Sequence, residues 1–90
     1  METEIKMVAV ASKVFSYKKK HPDAIIEEVF LGVADFINDR SVRDESTKIA
    51  MIASVNKACD MADRNRSLTE KELLKRFIED IPQILMHISR

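Results

Sequence analysis

Few side chains in this 90-residue chain are of the types that perform catalysis or bind metals. Nucleophilic catalysis requires a nucleophile, a base and an orienting group that converge, whereas the chain has one cysteine, Cys59, and two histidines, His21 and His87. Zinc sites require clustered cysteine and histidine ligands, and these three residues are far apart in sequence. Gly32 is the only glycine, which excludes a glycine-rich phosphate-binding loop. The sequence therefore predicts a non-enzymatic protein with no metal or other cofactor.

One acidic stretch provides an enzymatic alternative. Glu27-Glu28 resembles the acidic helix of MazG-type all-α nucleotide pyrophosphatases, which hold magnesium with Glu-Glu-x-x-Glu on one helix and Glu-x-x-Asp on the next. The resemblance implies a magnesium site formed by Glu27, Glu28 and Glu45. The chain departs from the pattern because Leu31 replaces the third glutamate and Lys48 replaces the aspartate. The resemblance thus implies a degenerate site.

The charges sum to zero but are distributed unevenly along the chain, which has 15 basic and 15 acidic side chains. Residues 1–20 contain five lysines, whereas residues 21–39 contain five acidic residues and neither lysine nor arginine. Phosphate binding depends on clustered lysine and arginine, and the only run of lysines, 18–20, lies beside the acidic segment. Nucleic acid is therefore disfavoured as a partner, and a helix-turn-helix DNA-binding domain remains the weaker alternative.

The outer face of the acidic segment is the best candidate for a functional surface. If this segment is helical, its acidic residues lie opposite its apolar residues, with Leu31 among them. We interpret this face as a docking surface for a basic partner protein, since charged rims select partners. Its residues are Glu27, Glu28, Leu31 and Asp35. The alternative is an acidic face that contacts only solvent.

The sequence also restricts the cellular setting. No apolar run approaches the ~20 residues that cross a bilayer, and no signal-peptide pattern opens the chain. A single cysteine cannot form an internal disulfide, which is typical of a reducing compartment. We therefore expect a cytoplasmic protein that does not bind membranes.

The spacing of apolar residues predicts four amphipathic helices. One glycine and two prolines are too few for the tight turns of a strand-rich fold. The predicted helices run from Glu2 to Lys19, from His21 to about Asp39, from Asp44 to Arg64, and from Ser67 onwards. Short breaks between them predict antiparallel packing. The expected fold is an all-α antiparallel bundle of four helices in one domain, 1–90, or of five if Pro82 breaks the last helix.

Local motifs predict where these helices begin. His21-Pro22-Asp23 places a proline at a first helical position, where its missing N–H would be unpaired anyway. The same tripeptide is similar to the one with which J-domains engage their chaperone partner, in a loop between two long helices. Ser41 and Ser67 each precede an acidic residue by three positions, which predicts two capping boxes.

Apolar positions at helical spacing define the predicted core faces of the last three helices. In the second helix they are Ile25, Ile26, Val29, Phe30, Val33, Phe36 and Ile37. In the third they are Met51, Ile52, Val55, Ala58, Cys59 and Ala62. In the fourth they are Leu73, Leu74, Phe77, Ile78, Ile81, Ile84, Leu85 and Ile88. Gly32 lies within the second helix and indicates close approach by a neighbouring backbone.

The first helix is apolar over most of its circumference, so it must be covered on more than one side. It is either the central helix of the bundle or the seam of a dimer, and the candidate self-association face is Met7, Val10 and Val14. Together these patterns predict a small protein-interaction module that binds a protein partner or a second copy of itself.

Overall fold

The computed structural model describes residues 2–39 and 42–88, and every regular element in these residues is an α-helix. The helices are α1 (Glu2–Lys20), α2 (Ile26–Ile37), α3 (Glu45–Arg64) and α4 (Glu70–Ile88). They pack into a body of 33 × 25 × 20 Å. The predicted all-α bundle of four helices is confirmed.

Helices α1 and α3 form a parallel central pair and make the most extensive contacts in the fold. At their N-terminal ends, the hydroxyls of Thr3 and Thr47 are hydrogen bonded at 3.0 Å. At their C-terminal ends, Lys18 Nζ lies 2.7 Å from Asp63 Oδ1. Two contacts at opposite ends of the pair show that the helices run in the same direction.

The other two helices flank this pair on opposite sides, and each runs antiparallel to it. The Tyr17 ring lies against Gly32, and Lys13 Nζ lies 5.2 Å from the centroid of the Phe36 ring. On the opposite side, the Phe15 and Phe77 rings meet edge to face at 6.4 Å, and Lys19 donates to the carbonyl of Leu68, just before α4 begins, at 2.9 Å. Within the described residues, α2 and α4 make no close contact.

Burial of α1 overturns the predicted self-association face. Met7, Val10 and Val14 are fully buried within a single chain, because α1 contacts all three other helices. A side chain without exposed surface cannot contact a second copy. Of the two interpretations of α1, the central helix of the bundle is therefore correct.

The predicted core is largely confirmed on the other helices, with three exceptions. Ile25, Ile52 and Ile78 are exposed, because each lies at the edge of an apolar face that its neighbouring helix does not reach. The core also contains polar side chains that the pattern did not predict. Thr47 bonds to Thr3, and Ser54 donates to the carbonyl of Ala50 at 2.8 Å.

The predicted start of α2 at His21-Pro22-Asp23 is wrong. These residues belong to the α1–α2 loop, and α2 begins at Ile26. The ammonium of Lys18 donates to the carbonyls of Pro22 and Ala24, both at 2.9 Å, and so holds the loop out of a helical conformation. Ile25 is extended, and its N–H donates to the Glu28 carboxylate at 3.2 Å.

The start of α3 is within one residue of the prediction, but the capping box predicted from Ser41 to Asp44 is wrong, because Asp44 is itself the N-cap. The start of α4 is shifted. Asp44 is the N-cap of α3 and accepts a hydrogen bond from Ser46 N at 3.3 Å; Ser41 lies outside the described residues. The capping box of α4 is formed by Thr69 and Glu72 rather than by Ser67, with bonds of 2.9 and 3.1 Å. A turn from Asn65 to Leu68 precedes it.

Helix α4 is continuous from Glu70 to Ile88 with Pro82 inside it. The described residues therefore form four helices, and the five-helix alternative is wrong. Proline removes one backbone donor from a helix, but Pro82 and Ile78, whose carbonyl it leaves unpaired, are both on the exposed side. Water can bind that carbonyl there, so the helix persists.

Candidate functional site

A groove of 500 Å³ runs between α2 and α3. The residues that line it are Glu27, Phe30, Leu31, Ala34, Ile37, Asn38 and Ile52. Five of the seven are apolar, and Glu27 and Asn38 lie towards its two ends. We refer to this feature as the α2–α3 groove.

The spacing of residues on α2 produces one wall of the groove. Glu27, Leu31, Ala34 and Asn38 recur at intervals of three or four and therefore share one face of the helix. The core residues of α2, such as Val33, occupy the adjacent face. Since none of the other described helices covers the outer face, Leu31 is 80% exposed.

Ile52 forms the opposite wall, although its apolar spacing did not predict that it lies on the surface. Its spacing with the buried positions of α3 placed it in the core, yet it is 43% exposed. The apolar pattern of one helix cannot reveal where a short neighbouring helix stops covering it. Leu31 and Ile52 thus expose apolar surface on two sides of the same groove.

The structure brings together only part of the predicted docking face. Glu27 and Leu31 line the groove. Glu28 is committed to the N-terminus of α2 through its bond to Ile25 N, and Asp35 is exposed, one turn beyond Leu31 and outside the lining. The apolar contribution of Phe30 and Ala34 was not predicted as part of a site.

The carboxylates of the magnesium-site alternative are not brought together. Ala24 O and Asp63 Oδ1 bind the same Lys18 ammonium, so the start of α2 lies beside the end of α3. Glu45 is at the other end of α3, about 27 Å away at 1.5 Å per residue. Within residues 2–39 and 42–88, no group of three or more His, Cys, Asp or Glu side chains is arranged to hold a metal ion.

The buried ammonium of Lys18 lies at the end of the bundle that contains the α1–α2 and α3–α4 loops, and it connects the first of these loops to the end of α3. Only 6% of Lys18 is exposed, and its three acceptors are Pro22 O, Ala24 O and Asp63 Oδ1. The nearby Cys59 thiol has a pKa above its ordinary value, mainly because of burial and further because of the Asp63 charge. A protonated, buried thiol is a poor nucleophile, so this cluster is structural.

A second groove, between α3 and α4, has a volume of 620 Å³ and is charged. It contains three basic and three acidic side chains, and four of them form two ion pairs. Lys57 Nζ lies 3.7 Å from Asp80 Oδ2, and Arg64 Nε lies 2.9 Å from Asp60 Oδ1. A surface of internally paired charges favours neither an anionic nor a cationic ligand.

The His21-Pro22-Asp23 tripeptide lies in a loop, as it does in J-domains. Its Asp23 side chain is exposed and lies 3.4 Å from Arg66 of the α3–α4 loop. The likeness extends to these three residues. The contact instead ties together the two loops at this end of the bundle.

No protein-family model, curated protein or solved structure matches this chain. Among the described helices, none combines the length and the apolar character needed to cross a bilayer. Function must therefore be inferred from the surface itself, and the α2–α3 groove is the feature with a defined shape and chemistry.

Proposed function

We propose that this chain is a non-enzymatic protein-interaction domain whose docking surface is the α2–α3 groove. One observation carries the proposal: Leu31, 80% exposed, stands in an apolar groove of 500 Å³. Single exposed apolar residues are common on soluble proteins, but a continuous apolar groove with a polar rim is typical of interaction sites.

The charge around the groove indicates the chemistry of the partner. Glu27 lies in the lining and Asp35 beyond Leu31, and residues 21–39 contain no lysine or arginine. A segment with apolar side chains flanked by lysine or arginine complements this surface. Charge of this kind mainly increases the association rate and selects the partner. The same acidic surface repels phosphate backbones, which argues against nucleic acid.

We place this function in the cytoplasm, because the single Cys59 thiol is unpaired and buried. Thiols of that kind are typical of proteins in reducing compartments.

Comparative affinity capture tests the proposal. The tagged chain, Leu31→Lys and Ile5→Lys are each used as bait in an extract of the source cell. Ile5 is a matched control because it is an apolar helix residue, 65% exposed, that does not line the groove. We expect one stoichiometric companion with the wild type and with Ile5→Lys, and its loss with Leu31→Lys.

Two outcomes would count against the groove. Equal capture by Leu31→Lys and the wild type would remove Leu31 from the docking surface. A substrate-dependent amide shift at Glu27 or Glu28 on addition of magnesium and a nucleoside triphosphate would favour the pyrophosphatase alternative instead.

A further inference from the structure

The outer face of α4 combines basic and apolar side chains, whereas the α2–α3 groove combines acidic and apolar ones. Lys71, Lys75, Ile78, Pro82 and Met86 follow one another at intervals of three or four residues, and all are exposed. They therefore form one continuous stripe along the helix, which we call the α4 stripe. Two lysines lie towards its N-terminal end, and the apolar side chains follow them.

We infer that the α4 stripe of one copy of this chain binds in the α2–α3 groove of a second copy. The inference rests on the proposed function, because it names one partner for the same groove. Its basis is complementarity: an acidic apolar groove and a basic apolar helix face are present on one molecule. Charge and apolar contact then act together at a single interface.

The α4 stripe is long enough to span the groove. The groove extends along α2 from Glu27 to Asn38, a rise of about 16 Å at 1.5 Å per residue. The α4 stripe extends from Lys71 to Met86, about 22 Å on the same basis. A helix that presents anchors at i, i+3/i+4 and i+7 to an apolar groove is a recurrent mode of recognition. Ile78, Pro82 and Met86, at i, i+4 and i+8, likewise share one face of α4.

The structure of the groove also favours a helix as the segment that binds in it. An extended peptide needs a sheet edge with unpaired backbone groups, and the described residues contain helices but no strand. A polyproline segment needs an aromatic-lined groove, and Phe30 is the only aromatic residue of the lining.

The charges favour the contact of groove with stripe, because the groove carries acidic residues and the stripe begins with two lysines, although Glu79 is exposed beside Ile78 and offsets one of them. In this contact Lys71 and Lys75 lie beside Glu27, at one end of the groove. Groove against groove would oppose acidic residues, since residues 21–39 contain no lysine or arginine. On α3, Glu45 and Lys48 precede Ile52 by two turns and one turn, and they offset each other. The groove therefore has a net negative charge, which comes from the acidic face of α2.

This geometry predicts a heterologous contact, because groove and stripe are different surfaces of the chain. Such contacts produce open chains unless the rotation between copies happens to close a ring. The groove and the stripe lie on α2–α3 and on the outer side of α4, on opposite sides of the central pair. Both can therefore be occupied in one molecule at once.

Sedimentation equilibrium on the full chain, from ~10 μM to ~1 mM, tests this contact in the range of weak association. We expect a weight-average mass that rises steadily with concentration. Leu31→Lys blocks the groove and Ile78→Lys blocks the stripe, so each variant alone should remain monomeric. Ile5→Lys, on α1, should associate as the wild type does.

Mixing the two blocked variants gives the sharpest result. Leu31→Lys retains an intact stripe and Ile78→Lys retains an intact groove, so an equimolar mixture should form a 1:1 dimer that cannot extend. All three substitutions are at exposed positions, and amide spectra check that each variant is folded. A charge pair provides a second test: Glu27→Lys should weaken association, and adding Lys75→Glu in the same chain should restore it.

A wild-type mass equal to one chain throughout this range would overturn the inference. So would a mixture of the blocked variants that stays monomeric while the wild type associates. Neither result affects the proposed function, which would still stand if the capture experiment returned a different protein whose binding depends on Leu31. Capture that does not depend on Leu31 would instead contradict a role for the groove both in the proposed function and in self-association.

Discussion

At the scale of single residues, Lys18 is the one charged side chain that is buried in the part of the chain that the structure describes. Its ammonium holds two loop carbonyls and Asp63 at 2.7–2.9 Å while almost completely buried. Hydrogen bonds that involve a charged group contribute more than neutral ones, about 1.5–3 kcal/mol. Lys18 therefore stabilises both the α1–α2 loop and the end of α3.

Lys18→Met is expected to lower the free energy of unfolding by about 2 kcal/mol. Methionine fills a similar volume but donates no hydrogen bond, so the carbonyls of Pro22 and Ala24 lose their partner. Urea unfolding measures the change. Lys20→Met is the matched control, because Lys20 is the exposed last residue of the same helix.

Asp63→Asn separates the ion pair from the loop contacts. Asp63 is 44% exposed, so water screens its attraction to Lys18 and the expected loss is below about 1 kcal/mol. A loss as large as that of Lys18→Met would mean that the ion pair, rather than the loop carbonyls, accounts for the stabilisation.

Cys59 gives the fold a specific pH dependence. Its thiol pKa is raised, first by burial and then by the negative charge of Asp63, so the folded state holds this proton more tightly than the unfolded state. The corresponding stabilisation is complete below the unfolded pKa of about 8.5 and is lost as the pH rises through the folded value. Comparing urea unfolding of the wild type and Cys59→Ala from pH 7 to 10 isolates this effect. A constant difference across that range would contradict it.

The residue types in the sequence predicted the buried character of Cys59 and the exposure of Leu31, but not the burial of Lys18. Helical spacing assigns apolar residues to a core face, and Lys18 follows that face in phase with Val14. A charged residue there is read as solvated, because only the tertiary fold brings two carbonyls and a carboxylate within its reach.

At the scale of the helices, the contact between α1 and α2 depends on the absence of a side chain at Gly32. A Cβ at this position would lie 2.9 Å from Cε2 of Tyr17, closer than two carbons can approach without moving. The sequence predicted a close approach here but assigned it to a backbone; the neighbour is an aromatic ring.

A double-mutant cycle between Gly32 and Tyr17 measures this contact. Gly32→Ala alone gains helix propensity of about 1 kcal/mol but displaces the ring, so its net benefit should be small or negative. In a Tyr17→Ala background the same substitution should recover the full gain. Coupling energies of 0.5 kcal/mol or more are typical of residues in contact, and strictly additive effects would show that the ring moves aside freely.

Pro82, like Gly32, is a residue that is unfavourable in the interior of a helix. Proline costs about 3 kcal/mol in a helix interior relative to alanine, and α4 runs through it without interruption. Pro82→Ala should therefore raise the free energy of unfolding by up to about 3 kcal/mol, and the urea midpoint with it, because it restores the missing donor to the carbonyl of Ile78. A lower midpoint would show instead that the shape proline gives α4 is needed for packing.

Helix existence and the main core faces were predictable because apolar periodicity over several turns is a strong signal. Helix starts were less so. The starts of α2 and α4 are set by Lys18 binding the loop and by Thr69 competing with Ser67 for the capping position. Both starts depend on which of several nearby polar groups forms the hydrogen bond, and the spacing of apolar residues does not predict this.

At the scale of the whole molecule, the parallel α1–α3 pair explains both the core and the surface. Because α1 is enclosed by three helices, its apolar residues serve the core rather than a dimer. Because α2 is short and separated from α4, its outer face and part of α3 remain uncovered. The apolar groove therefore arises from the order in which the helices pack, which is why the sequence predicted Leu31 but not Ile52 as part of it.

Site-directed photo-cross-linking in the source cell tests most directly whether this groove binds protein. A photoreactive amino acid replaces Ile52, on the wall opposite Leu31, or Ile5, which is outside the groove. We predict a discrete cross-linked product from position 52 that is absent from position 5 and is lost when Leu31→Lys is added. No product at position 52, or the same products at both positions, would contradict a docking function for the groove.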